Sequence, residues 1–116
     1  MKYSLTSNTK TINGVVLHQI EALKSFGSVS KGDLGGWIEK ESNLSQNGDA
    51  LVSGNARVFG NARVSGNAWV FGNALVSGNA RVSGNAWVSG DAQVFGNARV
   101  SGDARVSGDA QVSGND

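Results

Sequence analysis

The chain contains no cysteine and no proline, and only one histidine, His18. Without cysteine, disulfide bonds and thiolate metal sites are excluded. Charge is nearly absent as a net quantity: ten Lys and Arg against nine Asp and Glu leave +1. That balance argues neither for nor against nucleic acid, but any surface that binds an anion must be local. Long apolar runs are missing too. The opening M-K-Y-S-L-T-S-N-T-K lacks the apolar stretch of a signal peptide, and nothing approaches the roughly 18 apolar residues of a membrane span. A soluble, cytoplasmic protein of one compact domain is expected from its 116 residues.

What is present is repetition. From Gly48 to Ser113 the phrase G-(N/D)-A-x-V-(S/F) is written eleven times without insertion or deletion. Within each unit Ala and Val alternate with variable residues at the period of two expected of a strand buried on one face. The Gly-Asn or Gly-Asp pair then supplies a corner, because Gly accepts positive φ and Asn or Asp tolerates it. Ala and Val therefore point inward. One unit cannot bury its Val alone, but stacked coils place Val on Val at about 4.8 Å, with backbone hydrogen bonds along the stacking axis.

The aliphatic residue every six positions, with a small residue four positions after it, resembles the hexapeptide repeat of left-handed parallel β-helices. In that family three hexapeptides make one triangular coil, so the resemblance implies an all-β, left-handed parallel β-helix of three and two-thirds coils. The earlier stretch F-G-S-V-S-K-G-D-L-G-G-W-I-E, with N-L-S-Q after it, looks like the start of phage and enterobacterial hexapeptide proteins, some of them labelled acyltransferases.

Ahead of the repeats, T-K-T-I-N-G-V-V-L-H-Q-I carries Asn13-Gly14 between apolar runs, a strong hairpin signal. Strands are expected near Lys10 to Ile12 and Val15 to Ile20. Residues 1–28 are then a hairpin cap over an open solenoid end, whose bare strand edges need covering. Residues 29–47 form a degenerate first coil with Leu34, Trp37, Ile38 and Leu44 as core residues, and 48–116 form the regular β-helix.

An acyltransferase of the hexapeptide class needs a histidine as general base in a cleft between subunits, usually beside an extruded loop. His18 lies outside the repeats and no loop interrupts them, so no catalytic residue is assigned. The Asn and Asp corners do not read as a calcium roll, whose nine-residue phrase carries doubled glycines and regular Asp; stacked amides explain them better. Ice binding would need ranks of Thr that the repeat lacks. No metal and no cofactor are expected.

Folding the variable positions at three units per coil gives three unlike faces. The first carries Leu51, Trp69, Trp87 and Arg105, with Phe71 beside them. The second carries Arg57, Leu75, Gln93 and Gln111, with Phe59 and Phe95. The third carries Arg63, Arg81 and Arg99 over Ser65, Ser83 and Ser101. Aromatic groups and Arg are enriched at interfaces. Leu51, Trp69, Phe71 and Trp87 are therefore expected to form an oligomer interface, in a dimer or trimer, and Arg63, Arg81 and Arg99 a partner-binding strip. The function expected is that of a non-enzymatic interaction protein binding another protein rather than nucleic acid or membrane. By analogy with the phage proteins, that partner is a host defence factor such as a CRISPR effector. The alternative is an acyl-CoA-dependent hexapeptide acyltransferase or a catalytically dead remnant of one.

Overall fold

The computed structural model describes residues 2–12, 14–26, 29–46 and 48–113. Asn13 of the expected hairpin turn and Asp116 near the far end lie outside the described residues. Two long strands, β1 (Tyr3–Ile12) and β2 (Val15–Ala22), come first, followed by β3 (Leu34–Ile38) and a single 3-10 turn at Glu41–Asn43. Eleven two-residue strands complete the chain, one in each hexapeptide. They are β4 (Leu51–Val52), β5 (Arg57–Val58), β6 (Arg63–Val64), β7 (Trp69–Val70), β8 (Leu75–Val76), β9 (Arg81–Val82), β10 (Trp87–Val88), β11 (Gln93–Val94), β12 (Arg99–Val100), β13 (Arg105–Val106) and β14 (Gln111–Val112). No helix among the described residues is long and apolar enough to cross a membrane.

The repeats wind into a parallel β-helix with three sheets as sides. One side is β4, β7, β10 and β13; another is β6, β9 and β12; the third is β5, β8, β11 and β14, which continues through β3 into the hairpin. Every third hexapeptide is therefore in register, Trp69 on Trp87 and Arg63 on Arg81, as three units per coil requires. The inward pattern holds: the Ala and Val of each unit from Ala50 to Ala98 are fully buried. At each corner the Gly takes positive φ, and a Cβ on Gly84 would lie 2.8 Å from the Gly102 nitrogen one coil away. The corner glycines thus serve both the turn and the close approach of stacked backbones.

Outside the two-residue strand pairs, hydrogen bonding along the stack has a direction. Amides of one coil donate to carbonyls of the next, as in Leu51 N to Ala68 O at 3.0 Å and Ser53 N to Val70 O at 2.9 Å. The carbonyls at these accepting positions in the first regular coil consequently face the cap end and need donors from elsewhere. β3 supplies some, with Trp37 N donating to Ala56 O and Glu39 N to Val58 O. Side chains supply more. The Lys2 ammonium donates to Gly48 O at 3.3 Å and Ala50 O at 2.8 Å, and the Asn43 amide to Gly60 O at 3.3 Å and Ala62 O at 2.8 Å. The Tyr3 hydroxyl shares its proton between Glu41 O and Leu44 O. Gln46 Oε1 accepts from the Lys2 and Tyr3 amides, which ties β1 across the open end.

The degenerate coil departs from expectation at two residues. Ile38 and Leu44 are buried, but Leu34 is 56% exposed and Trp37 points outward, half-buried beneath the Lys10 ammonium at 4.1 Å. Once Ile38 faces inward, alternation sends Trp37 out. The buried Gly35 and Gly36 instead face the coil below, where a Cβ on Gly36 would sit 2.7 Å from Val52 Cγ1. This coil also steps 20 residues to its neighbour, Trp37 on Arg57 and Leu44 on Val64, two more than the 18 of the regular coils. The Glu41–Asn43 turn lies within that longer coil.

Candidate functional site

The side formed by β6, β9 and β12 holds Arg63, Arg81 and Arg99 in register, all three exposed, above the buried valines Val64, Val82 and Val100. Strand alternation forces this: with Val inward, the residue before it stands outward on every coil. Among the described residues the three guanidiniums have no hydrogen-bond or ion-pair partner. The corner that precedes them is an amide ladder, Asn61 Nδ2 donating to Asn79 Oδ1 and Asn79 Nδ2 to Asn97 Oδ1, both at 3.2 Å. Lys40 Nζ donates to Asn61 Oδ1 at the head of that ladder and extends the positive strip toward the cap. The following corner is neutral through Asn67 and Asn85 and ends on Asp103.

The strip opens at its cap end into a groove of about 740 Å³, lined by Arg63, Arg81, Ser65 and Ser83 on the regular coils and by Glu41 and Ser45 on the degenerate one. Hydroxyl rows beside free guanidiniums offer both charge and hydrogen bonds to an anionic surface. The expected strip is thus assembled as a contiguous row. The groove at its end could not be read from the repeats, because its closing wall is the irregular Glu41–Gln46 stretch.

The aromatic side differs from expectation at one residue. Trp69, Phe71 and Trp87 do come together, with Trp69 and Phe71 ring centroids 4.8 Å apart and Trp69 and Trp87 centroids 5.7 Å apart. Arg105, one coil further along, lies over the Trp87 ring at 4.6 Å. Leu51, expected as part of this exposed face, is instead buried at 8% exposure. It lines a cavity of about 290 Å³ under the cap with Tyr3, Ile20, Phe26 and Trp69. The reason is nonlocal: the cap folds over the first coil of this side, and no repeat rule foretells that. Trp69 is half-buried and donates from Nε1 to Ser53 Oγ at 3.0 Å. Trp87, at 37% exposure, is the most exposed of the three aromatic rings.

On the remaining side the repeat Arg57 is partly covered, its Nε buried without a hydrogen-bond partner among the described residues. His18 lies on β2 opposite Thr9 and Ile38, with Nδ1 3.1 Å from the Thr6 carbonyl. That bond holds the ring within the hairpin.

Among the described residues, Lys2 and Tyr3 of the cap are perturbed. Burial is the main cause that lowers the Lys2 ammonium from 10.5 to about 8, with Asp49 opposing it. Burial, with a smaller push from Glu41, raises the Tyr3 phenol well above its ordinary range. Their hydrogen bonds cap the coil, so the perturbations reflect structure rather than proton chemistry.

Residues 56–72, 76–90, 92–108 and 98–114 match the family described as YdcK beta solenoid repeat. No curated protein matches the chain.

Proposed function

We propose that this β-solenoid repeat protein is a non-enzymatic interaction protein that docks an acidic surface of a partner protein along Arg63, Arg81 and Arg99. The observation that carries the reading is that three exposed guanidiniums stand in register on adjacent coils, beside neutral corners and free of intramolecular partners among the described residues. Like charges at the parallel-strand spacing of about 4.8 Å repel, so the row gains from an acid brought by another molecule. Three guanidiniums neutralise only about three phosphates, fewer than the roughly six to ten contacts of a tight duplex binder, which favours an acidic protein over a duplex. The concrete form of this reading is a phage accessory protein that occupies a host defence factor in the bacterial cytoplasm. Copies of the chain are further proposed to associate through Trp69, Phe71 and Trp87, where Trp87 remains open to solvent.

The test is capture of partners from bacterial lysate by wild type and by the Arg63→Glu, Arg81→Glu, Arg99→Glu triple variant. The wild type should retain a protein that the variant loses, with an association rate that falls as salt rises. Equal retention by both proteins would remove the row from the interface. Tight duplex binding with a steep salt slope would assign it to nucleic acid.

A further inference from the structure

The arginine row has a pitch, and the pitch selects the shape of what it binds. Arg63, Arg81 and Arg99 occupy the same position on three successive coils, so they stand about 4.8 Å apart along the stacking axis, and the outer two about 9.6 Å apart. An extended acidic strand laid along that axis presents same-face carboxylates every second residue, about 6.7 Å apart. It therefore falls out of step by about 2 Å at the second arginine and about 4 Å at the third. An α-helix rises about 1.5 Å per residue, so acids at i, i+3 and i+7 lie about 4.5 and 10.5 Å along one stripe, within about 1 Å of the row.

The width of the side agrees. Four extended residues between corners span roughly 13 Å, enough to seat a helix about 10 Å across. Serine hydroxyls at Ser65 and Ser83 line one flank, the Asn61 and Asn79 amides the other, and Lys40 adds a cation toward the cap. Glu41 lines the groove on the degenerate coil and disfavours an acid placed beside it.

Resting on the reading that this row docks an acidic protein, we propose that the element it receives is an acidic amphipathic α-helix of at least two turns, lying parallel to the solenoid axis with its stripe of carboxylates on Arg63, Arg81 and Arg99.

Three synthetic peptides of equal charge test this by fluorescence anisotropy at low salt. The first is a cross-linked helix with Glu at i, i+3 and i+7; the second is a cross-linked helix with the same acids spread round its circumference; the third is extended, with Glu at alternate positions. The striped helix should bind about tenfold more tightly than either other peptide, the advantage of three aligned pairs over one. That advantage should vanish in Arg63→Gln, Arg81→Gln, Arg99→Gln protein whose circular dichroism and melting temperature confirm the fold. Glu41→Gln should tighten the striped helix by about twofold. If all three peptides bind alike and depend on the arginines, the helix is wrong while acidic docking stands. If the extended peptide or a single-stranded oligonucleotide binds best, the proposal is overturned. If no peptide binds in an arginine-dependent way, the docking reading falls with it.

Discussion

Trp69 and Trp87 occupy the same position on successive coils, and their rings meet edge to face, with centroids 5.7 Å apart and planes at 84°. The pair is a rung of the solenoid as much as a surface, because each ring covers apolar area that the other would leave wet. Trp69 is the more deeply held, through its bond to Ser53 Oγ and its contact with Phe71. Trp69→Ser should lower stability by on the order of 2 kcal/mol and Trp87→Ser by about 1 kcal/mol in urea unfolding. Light scattering on the same variants tests association separately. The mass should fall to that of a monomer in the double variant, and an unchanged oligomer would move the contact elsewhere.

Asn43 should be the most sensitive polar residue of the cap. It is fully buried, its amide donating to Gly60 O and Ala62 O while its Oδ1 accepts from the Glu39 and Lys40 amides at 3.0 and 2.9 Å. Asn43→Ala strands three backbone groups, Lys40 N, Gly60 O and Ala62 O, while Glu39 N keeps its bond to Val58 O, and it should cost on the order of 3 kcal/mol. Asn43→Asp keeps the acceptor but turns a carboxylate toward two carbonyls, so it should be the worse of the two at neutral pH and should recover part of the loss in acid. Equal melting temperatures for wild type and both variants would refute the capping role.

The cap should give stability an unusual maximum in alkali. Between about pH 8 and the ordinary lysine value of 10.5, folded Lys2 has released its proton while the unfolded chain keeps one, so stability rises with pH. The raised Tyr3 phenol acts oppositely: above its ordinary value of 10.0 the unfolded chain loses a proton that the folded chain holds, and stability falls. Denaturant unfolding across this range should therefore peak near pH 10. Lys2→Met should abolish the rising limb and Tyr3→Phe should soften the falling one; an unchanged rising limb in Lys2→Met would disprove its origin.

Two glycines with positive φ separate backbone strain from crowding. Gly14 has φ +84 and open space where a Cβ would go, whereas Gly84 has φ +66 and the Gly102 backbone at 2.8 Å. Gly14→Ala should cost about 1 kcal/mol, the strain alone. Gly84→Ala should cost clearly more, because two coils must part, and a smaller loss than at Gly14 would show that the stack yields freely.

Arg81→Gln should leave the melting temperature unchanged or raise it slightly, since it relieves repulsion from Arg63 and Arg99 on both sides. The effect should shrink as salt is added. A marked loss of stability would mean that the arginine is structural and would weaken its assignment to a partner.

The period of six determined by itself which way most of this chain faces. Ala56 and Val58 had to be buried and Arg57 turned outward because alternation is local to a strand, and Arg63, Arg81 and Arg99 had to align because every regular coil has the same length. Only the tertiary structure decided the cap end. Lys2 meets Gly48 and Ala50 across more than forty residues, Asn43 replaces backbone donors with a side chain, and Leu51 disappears beneath Tyr3 and Ile20. None of these has a sequence spacing to announce it. They follow from the direction of the hydrogen bonds, which leaves a rim of carbonyls at that end, and from whichever donors the irregular chain can fold back to reach them.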